Sequence, residues 1–361
     1  MSRHIHHAIR PEIAELQAYH VPPPGDMVKL DAMENPYCWP ENIQQAWLNV
    51  MAQTPLNRYP SADPTQLKAM IQQTMHVPAG KSLMLGNGSD ELIQIIALAC
   101  AKPGACLLAP EPGFAMYKLI ATYAGITYVG VPLTRQYELD MPKMREAINE
   151  HQPAVTFLAY PNNPTGNLFN PTDIHEVIQI SPGAVVLDEA YHPFANSSFM
   201  DALSTYEHLL VMRTFSKMGL AGLRLGLLCG DNTWVEQFEK LRMPYNLSTL
   251  TQASALFALQ HHDVFAKQAE HICKNREHLL AELKTMSGIT LFPSAANFVL
   301  FKVAQEQSQV VFNQLLEQKI LIRNLGTAPG LLKDCLRVTV GNDDENHAFL
   351  SALRGILSEL F

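Results

Sequence analysis

The sequence predicts an α/β fold: a mostly parallel central sheet with helices on both faces, followed by a smaller α+β C-terminal domain. Three observations predict it. Between about residues 63 and 230, short apolar runs alternate with helix-length segments; each run ends in a loop rich in Gly, Pro, Asn or Ser; and after Pro244 the texture changes to a long charged helical stretch. A strand buried on both faces reads as continuously apolar, which marks parallel pairing through crossover helices.

In chain order, residues 1–45 begin rich in His and include Pro22, Pro23 and Pro24 in a row, so they read as an N-terminal arm that adds to the small domain and the substrate site. Residues 46–244 form the large domain, with β-rich runs at 105–109, 127–131, 154–159, 184–188, 208–212 and 225–229. Residues 245–361 form the small domain: a helix-like stretch at 263–286, strands near 297–301, 320–323 and 336–340, and a final amphipathic helix. In sheets of this kind chemistry gathers at the carboxyl ends of strands.

The 361 residues are 47% apolar and 17% charged, which excludes disorder for most of the chain. With 26 basic and 34 acidic residues the net charge is −8, so no basic field exists to hold nucleic acid or an anionic membrane. The cysteines Cys38, Cys100, Cys106, Cys229, Cys273 and Cys335 form no C-x-x-C pair, and the histidines show no H-E-x-x-H spacing, so no metal is expected. The first 26 residues gather no apolar signal region, and the longest apolar stretch, 92–101, is too short to cross a bilayer. The expectation is a soluble cytoplasmic protein.

Four segments carry chemistry. The run 184–188 ends on Asp188, with Tyr191 three residues on; taken alone, an Asp after a strand is ordinarily a turn residue or a helix cap. The run 208–212 leads into Arg213, Thr214, Ser216, Lys217, Gly222 and Arg224. Beside Arg224 and within an apolar run, the ammonium form of Lys217 is disfavoured, which frees the amine to form an imine. Tyr160-Pro-Asn-Asn163-Pro164-Thr-Gly166 follows a strand and suggests a cis Asn-Pro step aiming the Asn163 amide inward. Gly86-Asn-Gly88-Ser89-Asp90-Glu91 opens a helix whose backbone N–H groups suit a phosphate, although it is not a full dinucleotide fingerprint. Together they provide an amine for an aldehyde, a carboxylate for a pyridinium nitrogen, donors for a phenolate oxygen and a phosphate cup, which is what pyridoxal 5′-phosphate needs.

Over nearly its full length the sequence resembles the fold-type-I, class-II PLP-dependent aminotransferases, specifically the histidinol-phosphate aminotransferase branch. The matching stretches are Lys29-Leu-Asp-Ala-Met-Glu34-Asn35-Pro36-Tyr, Arg58-Tyr59-Pro60, Gly86 to Glu91, Asn163-Pro-Thr-Gly, Asp188-Glu-Ala-Tyr191, Ser216-Lys217, Ala221-Gly-Leu-Arg224, Ala296-Asn297-Phe298 and Cys335-Leu-Arg337-Val-Thr-Val-Gly341. The resemblance implies that Lys217 binds the cofactor aldehyde and shuttles protons, Asp188 faces the pyridine nitrogen, Asn163 and Tyr191 donate to the ring oxygen, and Phe114 stacks on the ring. It implies a phosphate site from Gly88, Ser89, Asp90, Thr214, Ser216 and Arg224, with Tyr59 reaching across from a second subunit and hence a homodimer. Lys217 to Arg224 is one residue shorter than in many relatives, which makes Arg213 the alternative phosphate-binding arginine. For substrate it points to Arg337 and Arg323, with Tyr19, Asn35 and Asn297 nearby. The implied reaction is ping-pong transamination between L-histidinol phosphate and 2-oxoglutarate, giving imidazole acetol phosphate and L-glutamate, a step of histidine biosynthesis. Two alternatives share the cofactor: an aromatic amino acid aminotransferase and a threonine-phosphate-type decarboxylase. A non-catalytic sensor module is disfavoured, because residues 1–45 are too few and too Pro-rich for a DNA-binding domain.

Overall fold

The computed structural model describes residues 3–18 and 23–360. Among them the strands are, in chain order, β1 (Val28–Lys29), β2 (Ser82–Gly86), β3 (Cys106–Glu111), β4 (Thr127–Pro132), β5 (Val155–Ala159), β6 (Ala184–Asp188), β7 (Leu209–Thr214), β8 (Gly226–Gly230), β9 (Ile289–Leu291), β10 (Phe298–Val303), β11 (Ile320–Leu321), β12 (Arg323–Asn324) and β13 (Cys335–Thr339). No helix among the described residues is long and apolar enough to cross a membrane.

The large sheet has the order β2-β8-β7-β6-β5-β3-β4. Pairing from β4 through β7 is parallel, and every residue of β5, β6 and β7 is buried, as continuous apolar runs require. The run at 225–229 breaks the parallel expectation: β8 is antiparallel to both β7 and β2. The reason lies in its connection. Only the 3₁₀ turns Ser216–Met218 and Ala221–Leu223 separate β7 from β8, and a parallel return needs a crossover of a dozen or more residues, usually helical.

The second sheet, β12-β13-β10-β9, is antiparallel. The helix read at 263–286 is present as His262–Lys284, and the final helix, Asp343–Leu360, buries Phe349, Leu353, Ile356 and Leu357 on one face. The run at 320–323, read as one strand, is divided. Ile320 and Leu321 pair in parallel with Val28 and Lys29 of the N-terminal segment, whereas Arg323 and Asn324 pair with β13.

One buried ion pair ties β6 to β7. Arg213 Nε donates to Glu189 Oε2 at 2.9 Å, and its other nitrogens reach the Met75 carbonyl at 3.2 Å and Ser198 Oγ at 2.8 Å. Glu189 also accepts from the Phe199 N–H at 2.6 Å. Arg213→Leu should cost about 3 to 5 kcal/mol, because it strands a carboxylate that is 0% exposed. Urea denaturation measures the loss, and a change below about 1 kcal/mol would contradict this account.

Candidate active site

Asp188 closes β6 and Thr214 closes β7, so neighbouring strands deliver a carboxylate and a hydroxyl to the same end of the sheet. The 3₁₀ turn after β7 brings Ser216 and Lys217 over that end. All four residues line one cavity of about 250 Å³. Lys217 Nζ donates to the Ala32 carbonyl at 3.2 Å and lies 5.8 Å over the Tyr191 ring. Burial, then the nearby Arg337 charge, lowers the lysine pKa to about 8. Asp188 is 5% exposed, and burial raises its pKa to about 6 against two donors: the Tyr117 hydroxyl at 2.7 Å and the Ala190 N–H at 3.1 Å.

Beside this pair stands an anion cup. Ser89 and Asp90 line the cavity at the start of the helix Ser89–Cys100, whose free N–H groups and dipole favour negative charge. Gly88 caps that helix at φ +83°, and a Cβ there would sit 2.8 Å from Arg224 Nη2. Gly226 is equally constrained, since its Cβ would lie 2.7 Å from the Ser89 nitrogen. Thr214 Oγ1 donates to Ser216 Oγ at 3.0 Å. Arg224 lines the cavity with left-handed backbone (φ 48°), its guanidinium 3.4 Å from Asp90. Arg213, the alternative to Arg224, points elsewhere: its guanidinium is spent on Glu189, Ser198 and Met75, and it does not line the cavity.

Asn163 follows β5, immediately before a cis Asn163–Pro164 bond, and lines the cavity with Tyr191 and Phe114. Its Nδ2 donates to the Tyr191 hydroxyl at 3.0 Å, and its Oδ1 accepts from Arg337 Nη1 at 2.6 Å. Arg337 further donates to the Asp31 carbonyl at 3.0 Å and stacks over Phe298 at 5.3 Å. Arg323 stands directly opposite Arg337 in the β12–β13 register.

Arg337 and Arg323 do not line the cavity, and the other residues singled out from the sequence also lie behind or away from it. Asn35 Nδ2 donates to Gln268 Oε1 at 2.9 Å, and the fully buried Asn297 donates to the Met33 carbonyl at 3.0 Å. Met33 and Glu34 in turn form part of the cavity wall. Tyr59 is 82% exposed and stacks on Tyr245 at 4.6 Å, outside the cavity of its own chain. Tyr19 lies outside the described residues. The reading of the sequence missed Tyr117. It sits one helical turn from Phe114, but nothing local marks it as reaching a carboxylate seventy-one positions on.

An amine with a lowered pKa, a buried carboxylate and an anion cup in one cavity fit pyridoxal 5′-phosphate. Comparison with known proteins agrees. The family model for aminotransferase class I and II matches residues 25–353. A histidinol-phosphate aminotransferase 2 of Nitrosococcus oceani is 51% identical over 346 residues, 96% of each chain. The histidinol-phosphate aminotransferase of Chromobacterium violaceum is 47% identical, covering 96% of this chain and 97% of its own. Among solved structures, the histidinol-phosphate aminotransferase of Sinorhizobium meliloti in complex with pyridoxal-5′-phosphate superposes with a TM-score of 0.87 at 23% identity, over 98% of both chains, a likeness of fold.

The lysine can be tested without cofactor. With its pKa near 8, Lys217 is mostly neutral above that pH and mostly ammonium below. Reductive methylation of the cofactor-free protein should therefore show, besides the α-amine, one lysine whose rate falls about tenfold per pH unit below 8 when the labelled peptides are mapped, and Lys217→Ala should remove that peptide's signal. If the peptide that carries Lys217 titrates near the ordinary lysine value, the assigned environment is wrong.

Proposed function

The chain belongs to the class I and II aminotransferases, in the histidinol-phosphate aminotransferase group, and from this membership we propose how its residues perform that group's reaction. The substrates are L-histidinol phosphate and 2-oxoglutarate, the products imidazole acetol phosphate and L-glutamate, and the cofactor pyridoxal 5′-phosphate. The observation that carries this reading is the shared cavity of Lys217 and Asp188.

When bound, the cofactor supplies an electron-withdrawing ring that carries the amino group between donor and acceptor. Lys217 takes and returns the proton at the substrate's amine-bearing carbon, a task suited to an amine poised near neutrality. Asp188 holds a proton on the ring nitrogen, and Asn163 and Tyr191 orient the ring oxygen. Phe114 covers one ring face. Gly88, Ser89, Asp90, Thr214, Ser216 and Arg224 hold the cofactor phosphate.

Arg337 and Arg323 receive the charged ends of the substrates. Like charges placed directly opposite on paired strands repel, and an anion between them relieves the cost. A guanidinium fork grips carboxylate or phosphate equally well, so one pair serves both half-reactions. Asn297 holds the Met33 carbonyl, and Asn35 ties the end of the 32–34 wall to Gln268. We assign Tyr59 to the phosphate of a second subunit in a homodimer. An exposed apolar surface that includes Leu56 (72% exposed), Tyr59 and Met243 (69% exposed) supports this. The cytoplasm suits a biosynthetic enzyme of this kind.

Lys217→Ala should abolish both the visible absorbance of the reconstituted protein and its turnover; retained transamination would mean another lysine does the work. Arg323→Ala should lower kcat/KM for histidinol phosphate at least about tenfold more than for phenylalanine, each tenfold being about 1.4 kcal/mol. Equal losses for both amines would point instead to an aromatic amino acid aminotransferase.

A further inference from the structure

We propose that Tyr117 is a positioning residue for the cofactor: its hydroxyl orients the Asp188 carboxylate toward the ring nitrogen, and its ring backs Phe114, so that one side chain sets two contacts. The proposal rests on the pyridoxal phosphate reading above and adds a residue outside the cavity lining.

Tyr117 is 1% exposed on the helix Met116–Ala124. Its hydroxyl donates to Asp188 Oδ2 at 2.7 Å. Its ring stacks on Phe157 at 4.8 Å with planes 24° apart, and meets Phe114 edge-on at 5.4 Å and 86°. A buried phenol needs an acceptor, and a backbone carbonyl would satisfy it. Here it is matched instead to the one buried carboxylate that lines the cavity. Ala190 N–H takes Asp188 Oδ1, so each oxygen has one donor and keeps a lone pair for a further N–H.

The charges around Asp188 explain why the hydroxyl matters. Asp90, from the helix Ser89–Cys100, and Glu189, from the end of β6, both disfavour a charged Asp188, although Arg213 of β7 pairs with Glu189. Tyr191 and Lys217 share the cavity. Tyr117 and the Ala190 N–H are the two groups that favour the anion. Burial keeps the phenol far above its ordinary pKa, so it remains a donor at every working pH. Without the hydroxyl, the carboxylic acid form gains, and an acid offers its proton to the ring nitrogen rather than accepting one.

Tyr117→Phe removes one oxygen and keeps the aromatic cluster. In the cofactor-free protein, the infrared carboxyl band of Asp188, identified by its loss in Asp188→Asn, should titrate about one pH unit or more higher in Tyr117→Phe, a tenfold change of the size one hydrogen bond to a charged group supplies. Tyr117→3-fluorotyrosine, a stronger donor of nearly the same shape, should move the band the other way, and it decides the matter if the Phe variant does not fold. In protein loaded with pyridoxal phosphate labelled with ¹⁵N in the ring, Tyr117→Phe should move the ring-nitrogen resonance toward its unprotonated position. A band and a resonance unchanged by these substitutions overturn the proposal while leaving the cofactor reading intact. A wild-type chain that takes up no pyridoxal phosphate overturns both.

Discussion

Withholding a carboxylate and an amine from water in a single cavity, Asp188 at the end of β6 and Lys217 just beyond β7, is the constraint to which the surrounding structure answers. Burial outweighs the contacts that oppose it, leaving the first pKa at about 6 and the second at about 8, net shifts on the order of 3 kcal/mol each. A typical hydrogen bond returns only about 1 kcal/mol net, so the bonds present soften the burial without cancelling it. Asp188 has the Tyr117 hydroxyl and the Ala190 N–H, and Lys217 has the Ala32 carbonyl. The large sheet makes the arrangement possible because β5, β6 and β7 are buried along their whole length and hold the strand ends rigid.

The Ala32 carbonyl belongs to a segment that the second sheet grips. Met33 N–H donates to Thr339 Oγ1 at 2.9 Å, its carbonyl accepts from Asn297 at 3.0 Å, and the Thr339 N–H reaches the Leu30 carbonyl at 2.8 Å. Arg337, from β13, holds the Asp31 carbonyl and the Asn163 side chain at once. The acceptor that fixes the Lys217 amine is therefore set by residues more than a hundred positions further along the chain. A displacement of β13 relative to β7 would reach the lysine through residues 30–33, so Arg337 and the Lys217 amine are linked by contact.

Much of this was legible in the sequence, and what was not has identifiable causes. The parallel strands declared themselves because burial on both faces demands continuous apolar runs, and the cavity residues Ser89, Asn163, Asp188, Lys217 and Arg224 stand at strand ends, in the turns that follow strands or at the start of a helix. The strand β2 was missed: it is five residues long, starts on a half-buried Ser82, and gains its identity only by pairing with β8. The division of 320–323 between two sheets depends on where residues 28–29 arrive, which is information from the far end of the chain. Tyr117 was invisible for the same reason, its acceptor being seventy-one positions away.

The placement of Arg213 away from the cavity is different, because the sequence contained it. Successive residues of a strand point to opposite faces, so a residue next to one that faces the cavity must face away from it. Thr214 lines the cavity, which turns Arg213 to the other side. The same alternation acts at the end of β6, where Asp188 enters the cavity and Glu189 leaves it. The two residues turned outward, on neighbouring strands, meet as the buried Glu189–Arg213 pair. Arg224 escapes this geometry because it lies in a turn with left-handed backbone, free to aim at Gly88 and Asp90. Strand parity thus sorts four charged or polar residues into a cavity-facing pair and a structural clamp, and the clamp holds together the two strands that carry the cavity-facing pair.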